Sequence, residues 1–181
     1  QQHGHFTKQC IGALWPLLHF RPDLMSFRHE DYRTYLSVNR TFARQVSKLL
    51  RPDDSVWAHD YHLIPFGRLL REQGFAGPVG FFLHVPFVPP PMLEALPVAR
   101  ELIADLCAYD LVGFQTEEHA RDFRDCAQRM LGAAVEGEWI ISPGIANLNN
   151  SRSKSTPQHN VVTPSIATKT GLVPTVFDSP G

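Results

Sequence analysis

Apolar positions recur at helical spacing between residues 31 and 50, where Tyr32, Tyr35, Leu36, Asn39, Phe42, Val46, Leu49 and Leu50 share one stripe. The run Arg51-Pro52-Asp53-Asp54 ends this predicted helix, because a proline disfavours helical backbone in the residue before it. The pattern then shortens. Val56 to Ala58 reads as a strand, Ile64 to Gln73 as a short helix closed by Gly74, and Pro78 to Leu83 as a second strand. Pro86 to Pro91 is too rich in proline for either and reads as a loop. Met92 to Tyr109 carries helix interrupted at Pro97, Leu111 to Phe114 a third strand, and Glu117 to Leu131 a long helix with His119, Phe123, Cys126, Ala127 and Met130 on its apolar side. Strands alternating with helices at this rhythm predict an α/β fold built on a parallel sheet.

The character changes near Glu136. Residues 142–181 are rich in Ser, Thr, Asn and Pro, and no helical period runs through them. Short runs such as Val161-Val162 and Val173 to Phe177 have strand composition, but nothing there predicts a second domain. The expected organisation is therefore one domain over residues 1–135 and an irregular or disordered tail over 136–181.

Composition narrows the class. The 181 residues are 43% hydrophobic and carry a formal charge of -1, with 17 basic against 18 acidic side chains. That balance offers no polyanion-binding surface, so nucleic acid is not an expected partner. No apolar stretch approaches the roughly 18 residues that span a bilayer, so no membrane association is expected. Cys10, Cys107 and Cys126 are odd in number, far apart and set among apolar residues, which fits reduced thiols in a cytoplasmic protein. The opening residues resemble no signal peptide and hold neither an initiator Met nor a strand, so the natural beginning is expected to lie upstream.

Polar residues follow three of the predicted strands in turn. His59-Asp60-Tyr61-His62 follows the first, His84 the second, and Gln115-Thr116-Glu117 the third. In open parallel sheets ligands bind beyond the carboxyl ends of the strands, so these clusters point to one crevice. Asp60 is placed either to accept hydrogen bonds from sugar hydroxyls or to cap the helical segment after it. His84 is either a satisfied core residue or a ligand-facing imidazole. Trp15 and Tyr61 are either core aromatics or ligand walls, Pro16 and the polar residues before Leu14 placing Trp15 near a loop. Glu117 and Glu118 favour the start of their helix through its dipole. His59, His62 and His84 would suit a metal-dependent hydrolase, but no zinc signature accompanies them and no metal is expected. Gly-rich phosphate loops and nucleophile elbows are absent from the sequence, which weakens dehydrogenase, kinase and hydrolase readings together.

Five blocks in one order carry a resemblance. Leu14-Trp-Pro-Leu-Leu-His19, Tyr35-Leu-Ser-Val-Asn39, Trp57-Ala-His-Asp-Tyr-His-Leu-Ile-Pro-Phe66, Gly80-Phe-Phe-Leu-His-Val-Pro-Phe87 and Tyr109-Asp-Leu-Val-Gly-Phe-Gln-Thr116 resemble the N-terminal domain of the trehalose-6-phosphate synthase family over about residues 10–135. The resemblance implies a Rossmann-like parallel sheet flanked by helices, the N-terminal half of a GT-B fold. It further implies retaining transfer of glucose from UDP-glucose to glucose 6-phosphate, with UDP-glucose as co-substrate and no cofactor or metal. By the same resemblance Trp15, Asp60 and Tyr61 contact the glucose 6-phosphate side and His84 lies by the transferred glucose. Asp60 and His84 become the catalytic candidates, Trp15 and Val85 match positions linked to anomer choice, and Gln115 matches a glutamine lining the cleft. His59 and His62 are expected to be structural. A non-catalytic sugar-phosphate-binding module and a transferase using glycerol phosphate are the alternatives, and homo-oligomerisation of the intact enzyme is left open.

The departures are specific. The family's N-terminal Gly-Gly loop and phosphate-binding Arg have no counterpart here, and Phe6 stands where a Tyr is common. Residues 136–181 do not resemble the donor-binding domain and read like the product of a frameshift or truncation. The chain alone is therefore expected to have little or no transferase activity.

Overall fold

The structure, a computed structural model, describes residues 6–141 and 159–164, the side chains of Gln9 and of 159–164 excepted. A π-helical stretch, Lys8–Leu14, runs directly into a short helix α1, Trp15–Leu18. Trp15 thus opens a helix where the sequence suggested a loop, because proline is well tolerated in a first helical turn and Pro16 sits there. Helix α2, His29–Ser47, has Glu30 and Asp31 in its first turn and Arg44 in its last, the arrangement that complements its dipole. It buries Tyr32, Tyr35, Asn39 and Ala43. It also stops three residues before the sequence pattern does, so Leu49 is left 80% exposed, and Phe42 is likewise exposed. The apolar stripe is narrower than predicted.

Strand β1, Val56–His59, pairs in parallel with β2, Val79–Phe82, and β2 with β3, Leu111–Phe114. Between them lie α3 (Phe66–Glu72), α4 (Pro90–Leu93) and α5 (Ala99–Leu106); α6, Glu117–Leu131, follows β3. Successive parallel strands step in one direction across the sheet, so right-handed crossovers place α3, α5 and α6 on the same face. Consistent with this, α3 packs on α5 and α5 on α6. Alternate residues Ala58, Phe81, Val112 and Phe114 are buried. On the sheet's other face Trp57, 41% exposed, lies over Gly80, and Phe82 lies over Gly113. A Cβ on Gly80 would come within 2.2 Å of the Trp57 ring, so this glycine is required by close approach.

The tail expectation needs correction over its described part. Ala134–Glu136 (β4) and Trp139–Ile141 (β5) form an antiparallel hairpin, and His159–Pro164 (β6) pairs with both β5 and β3. All described strands belong to one sheet in the order β1-β2-β3-β6-β5-β4. Gly137, at φ +62°, opens the two-residue turn, a position L side chains enter only under strain. Residues 142–158 and 165–181 lie outside the described residues.

One contact fixes α3 against the sheet. The Tyr109 hydroxyl donates to the Leu63 carbonyl at 2.7 Å and accepts from the Gly67 N–H at 2.8 Å. A Cβ at Gly67 would sit 2.6 Å from the Tyr109 ring. Gly67→Ala is expected to destabilise the chain by about 1–3 kcal/mol, the usual cost of overpacking. Urea denaturation checks it, and an unchanged midpoint would contradict the contact.

Cys10, Cys107 and Cys126 are buried thiols, and burial pushes each up to about 12. Among the described residues no helix is long and apolar enough to cross a membrane.

Candidate functional site

At the end of β1 the backbone turns sharply. Asp60 adopts φ 70° and ψ 162°, a conformation costing an L residue about 1–3 kcal/mol. Two bonds hold it there: its N–H donates to the Phe82 carbonyl at 2.8 Å, and its Oδ1 accepts from the Tyr61 N–H at 3.0 Å. Asp60 thereby caps the single 3-10 turn Tyr61–Leu63. The cap uses Oδ1, while Oδ2 lies 4.0 Å from His62 Nδ1.

Helix α2 supports this turn from beneath. The Tyr35 hydroxyl donates to the Tyr61 carbonyl at 2.5 Å, and Asn39 Nδ2 donates to the His62 carbonyl at 3.1 Å. The Tyr61 side chain is only 4% exposed, and burial, helped by the Asp60 charge, pushes its hydroxyl up to about 12. Its ring lies 4.0 Å from that of His62 and 6.0 Å from that of Trp15. Trp15 is 44% exposed and stacks on His19 at 3.8 Å, with His19 Nδ1 donating to the Trp15 carbonyl at 2.8 Å. Phe6 stacks on Tyr35 at 5.8 Å and lies 6.4 Å from His62, bringing an apolar ring to this margin.

The second and third strands bring the remaining groups. His84, two residues past the end of β2, is exposed, and its carbonyl accepts from Gln115 Nε2 at 2.6 Å. Its Nε2 lies 2.9 Å from His59 Nδ1. Burial, and secondarily the neighbouring His84, lower the His59 imidazole below its ordinary value, with Asp60 opposing. Val85 turns inward and belongs to the hydrophobic core. Thr116 caps α6 by accepting from the His119 N–H at 3.2 Å, while Glu117 and Glu118 stand exposed in its first turn. Among the described residues no group of three or more His, Cys, Asp or Glu side chains could hold a metal ion.

The structure therefore joins Trp15 to Tyr61 through their rings, Asp60 to β2 through its backbone, and His84 to both His59 and Gln115. A hollow of about 280 Å³ lined by Arg51, Gln73 and Phe75 lies instead at the amino ends of β1 and β2. The sequence reading missed the anchoring roles of Tyr35 and Asn39. A polar Asn at helical spacing within an apolar stripe was the available signal.

The family model of glycosyltransferase family 20 matches residues 1–161. The chain belongs to glycosyltransferase family 20. Among curated relatives, trehalose-6-phosphate synthase of Cronobacter sakazakii is 44% identical over 142 residues, 77% of this chain and 30% of the relative. The chain thus spans about a third or less of the length of such family members. An alpha,alpha-trehalose-phosphate synthase (UDP-forming) from Burkholderia vietnamiensis superposes with a TM-score of 0.79 at 38% identity, over 89% of this chain and 34% of that one. The Burkholderia xenovorans enzyme in complex with glucose-6-phosphate gives 0.78 at 35%, over 90% and 34%. The α/β fold and the glycosyltransferase family expected from the sequence are both shown.

Proposed function

We propose that this chain is the acceptor-side part of an α,α-trehalose-phosphate synthase (UDP-forming), which transfers glucose from UDP-glucose to glucose 6-phosphate with retention. The observation that carries this reading is the gathering of Trp15, Asp60, Tyr61, His84 and Gln115 around the carboxyl ends of three consecutive parallel strands. The half-exposed face of Trp15 offers a sugar a stacking plane. Asp60 Oδ2, not engaged by the cap, accepts from a sugar hydroxyl. The exposed His84 imidazole meets the transferred glucose, and Gln115 holds the backbone that carries it. Val85 acts on anomer choice from beneath, by setting the level of the chain next to His84. Retaining transfer on one face of the donor, with the leaving phosphate taking the acceptor proton, needs positioning and charge stabilisation but no enzyme nucleophile. UDP-glucose is a co-substrate, no cofactor is required, and the setting is cytoplasmic.

A second reading, a sugar-phosphate-binding module without turnover, rests on Trp15 and Asp60, which offer a sugar a half-exposed ring and a carboxylate oxygen not engaged by the cap. One pair of measurements tests the site and the turnover of this chain. The 181-residue chain is expected to bind glucose 6-phosphate in titration calorimetry more tightly than glycerol 3-phosphate, and to show little or no UDP release with UDP-glucose and glucose 6-phosphate. Turnover near that of a full-length family member would overturn the second expectation. No heat with glucose 6-phosphate from a folded sample would overturn the site itself.

A further inference from the structure

We propose that His59 is a positioning residue for His84: its Nδ1 accepts the proton on His84 Nε2, fixing the ring so that His84 Nδ1 faces a sugar hydroxyl as an acceptor. The proposal deepens the transferase reading above and rests on it for the identity of the ligand. It does not rest on it for the geometry.

His59 pairs with Phe82 across the β1–β2 ladder, so His84, two residues beyond Phe82, emerges on the same face, one step further along. The two rings lie 5.1 Å apart at 26°, with 2.9 Å between His59 Nδ1 and His84 Nε2. Two imidazole nitrogens at that separation need one N–H and one lone pair between them. His84 is held from other sides as well: the Phe82 ring lies 4.8 Å away at 60°, and Gln115 fixes its carbonyl. Among the described residues its Nδ1 has no hydrogen-bond partner. Which nitrogen of a histidine carries the proton is set by the bond its other nitrogen makes. A His59 acceptor therefore leaves Nδ1 as the bare, ligand-facing nitrogen.

His59 is suited to remain the neutral partner. It faces the His84 imidazole, the Asp60 carboxylate and the Trp57 ring, the last at 6.2 Å. Protonating both imidazoles would make both nitrogens donors and break the contact. The desolvation and the neighbouring ring that lower His59 both act to keep its lone pair available.

Long-range proton–nitrogen correlation spectra of the full 181-residue chain near neutral pH test this. His84 is expected to show a protonated Nε2 and a bare Nδ1. In His59→Phe both nitrogens should move toward the averaged position of a ring exchanging tautomers, and His59→Asn, whose side-chain oxygen can accept the same proton, should restore the original pattern. If His59→Phe loses its dispersed amide spectrum, His59→Ala serves as the deletion with the same expected outcome. A merely structural His59 would leave the tautomer of His84 unchanged on deletion, and that result would overturn the proposal, as would a protonated Nδ1 in the unaltered chain. These spectra are read without ligand, so they decide the His59–His84 coupling separately from the calorimetry that decides the sugar-phosphate site.

Discussion

Arg68→Met is expected to lower stability by about 3–5 kcal/mol at pH 8, as breaking a buried ion pair does, and by much less at pH 5. Arg68 on α3 reaches Asp105 on α5 through its Nε and Glu72 through its Nη1. Asp105 is 2% exposed, and its Oδ2 finds no partner among the described residues. Burial pushes its carboxyl up to about 6, while the Arg68 charge and hydrogen bond pull the other way. The folded chain therefore holds this proton more tightly than the unfolded one. Stability from this group is fully present below the unfolded value near 4 and is lost as pH rises through about 6. Without Arg68 the folded value climbs further, so at pH 8 the folded chain must either bury an uncompensated carboxylate or take up a proton that the unfolded chain does not hold, and both cost stability. At pH 5 it is protonated in both proteins and the deficit shrinks. Denaturant titrations of both proteins at the two pH values give the comparison, and equal deficits would refute the account.

Substitutions at Asp60 should separate binding from folding. Asp60→Gly and Asp60→Ala are both expected to weaken glucose 6-phosphate binding about 10- to 100-fold, the loss of a charged hydrogen-bond acceptor. Their stabilities should differ. Alanine keeps the penalty of φ 70° and removes the Oδ1 bond to the Tyr61 N–H, whereas glycine enters that conformation freely. Asp60→Ala should thus be less stable than Asp60→Gly by about 1 kcal/mol or more. Calorimetric titration reads the first effect and thermal unfolding the second. Undiminished affinity in both variants would remove Asp60 from the site, and equal melting would deny the strained turn.

The parallel strands were legible because their apolar runs are short, bounded by polar residues and separated by helix-length segments. The third of them, Leu111–Phe114, and the long helix Glu117–Leu131 agree with the sequence pattern to the residue. Helix ends were less legible: periodicity could not tell that Leu49 and Leu50 lie past the last turn of α2. The hairpin from Ala134 to Ile141 was missed because its strands are three residues each, too short for alternation to register. Its Gly137-Glu138 turn was the better signal. At the site, the order of polar clusters after strands revealed which loops meet. It could not reveal the His59–His84 contact, which depends on a register set by backbone pairing rather than by either residue's neighbours in sequence.

The three strand tips are laced together crosswise: the Asp60 N–H donates to the Phe82 carbonyl, the Leu83 N–H to the Gly113 carbonyl, and the Gln115 amide to the His84 carbonyl. Each bond runs between neighbouring strands, so no tip can wander without dragging the next. The entropy of arranging these groups is thus given up when the chain folds, so any ligand of these strand ends would meet groups already preorganised.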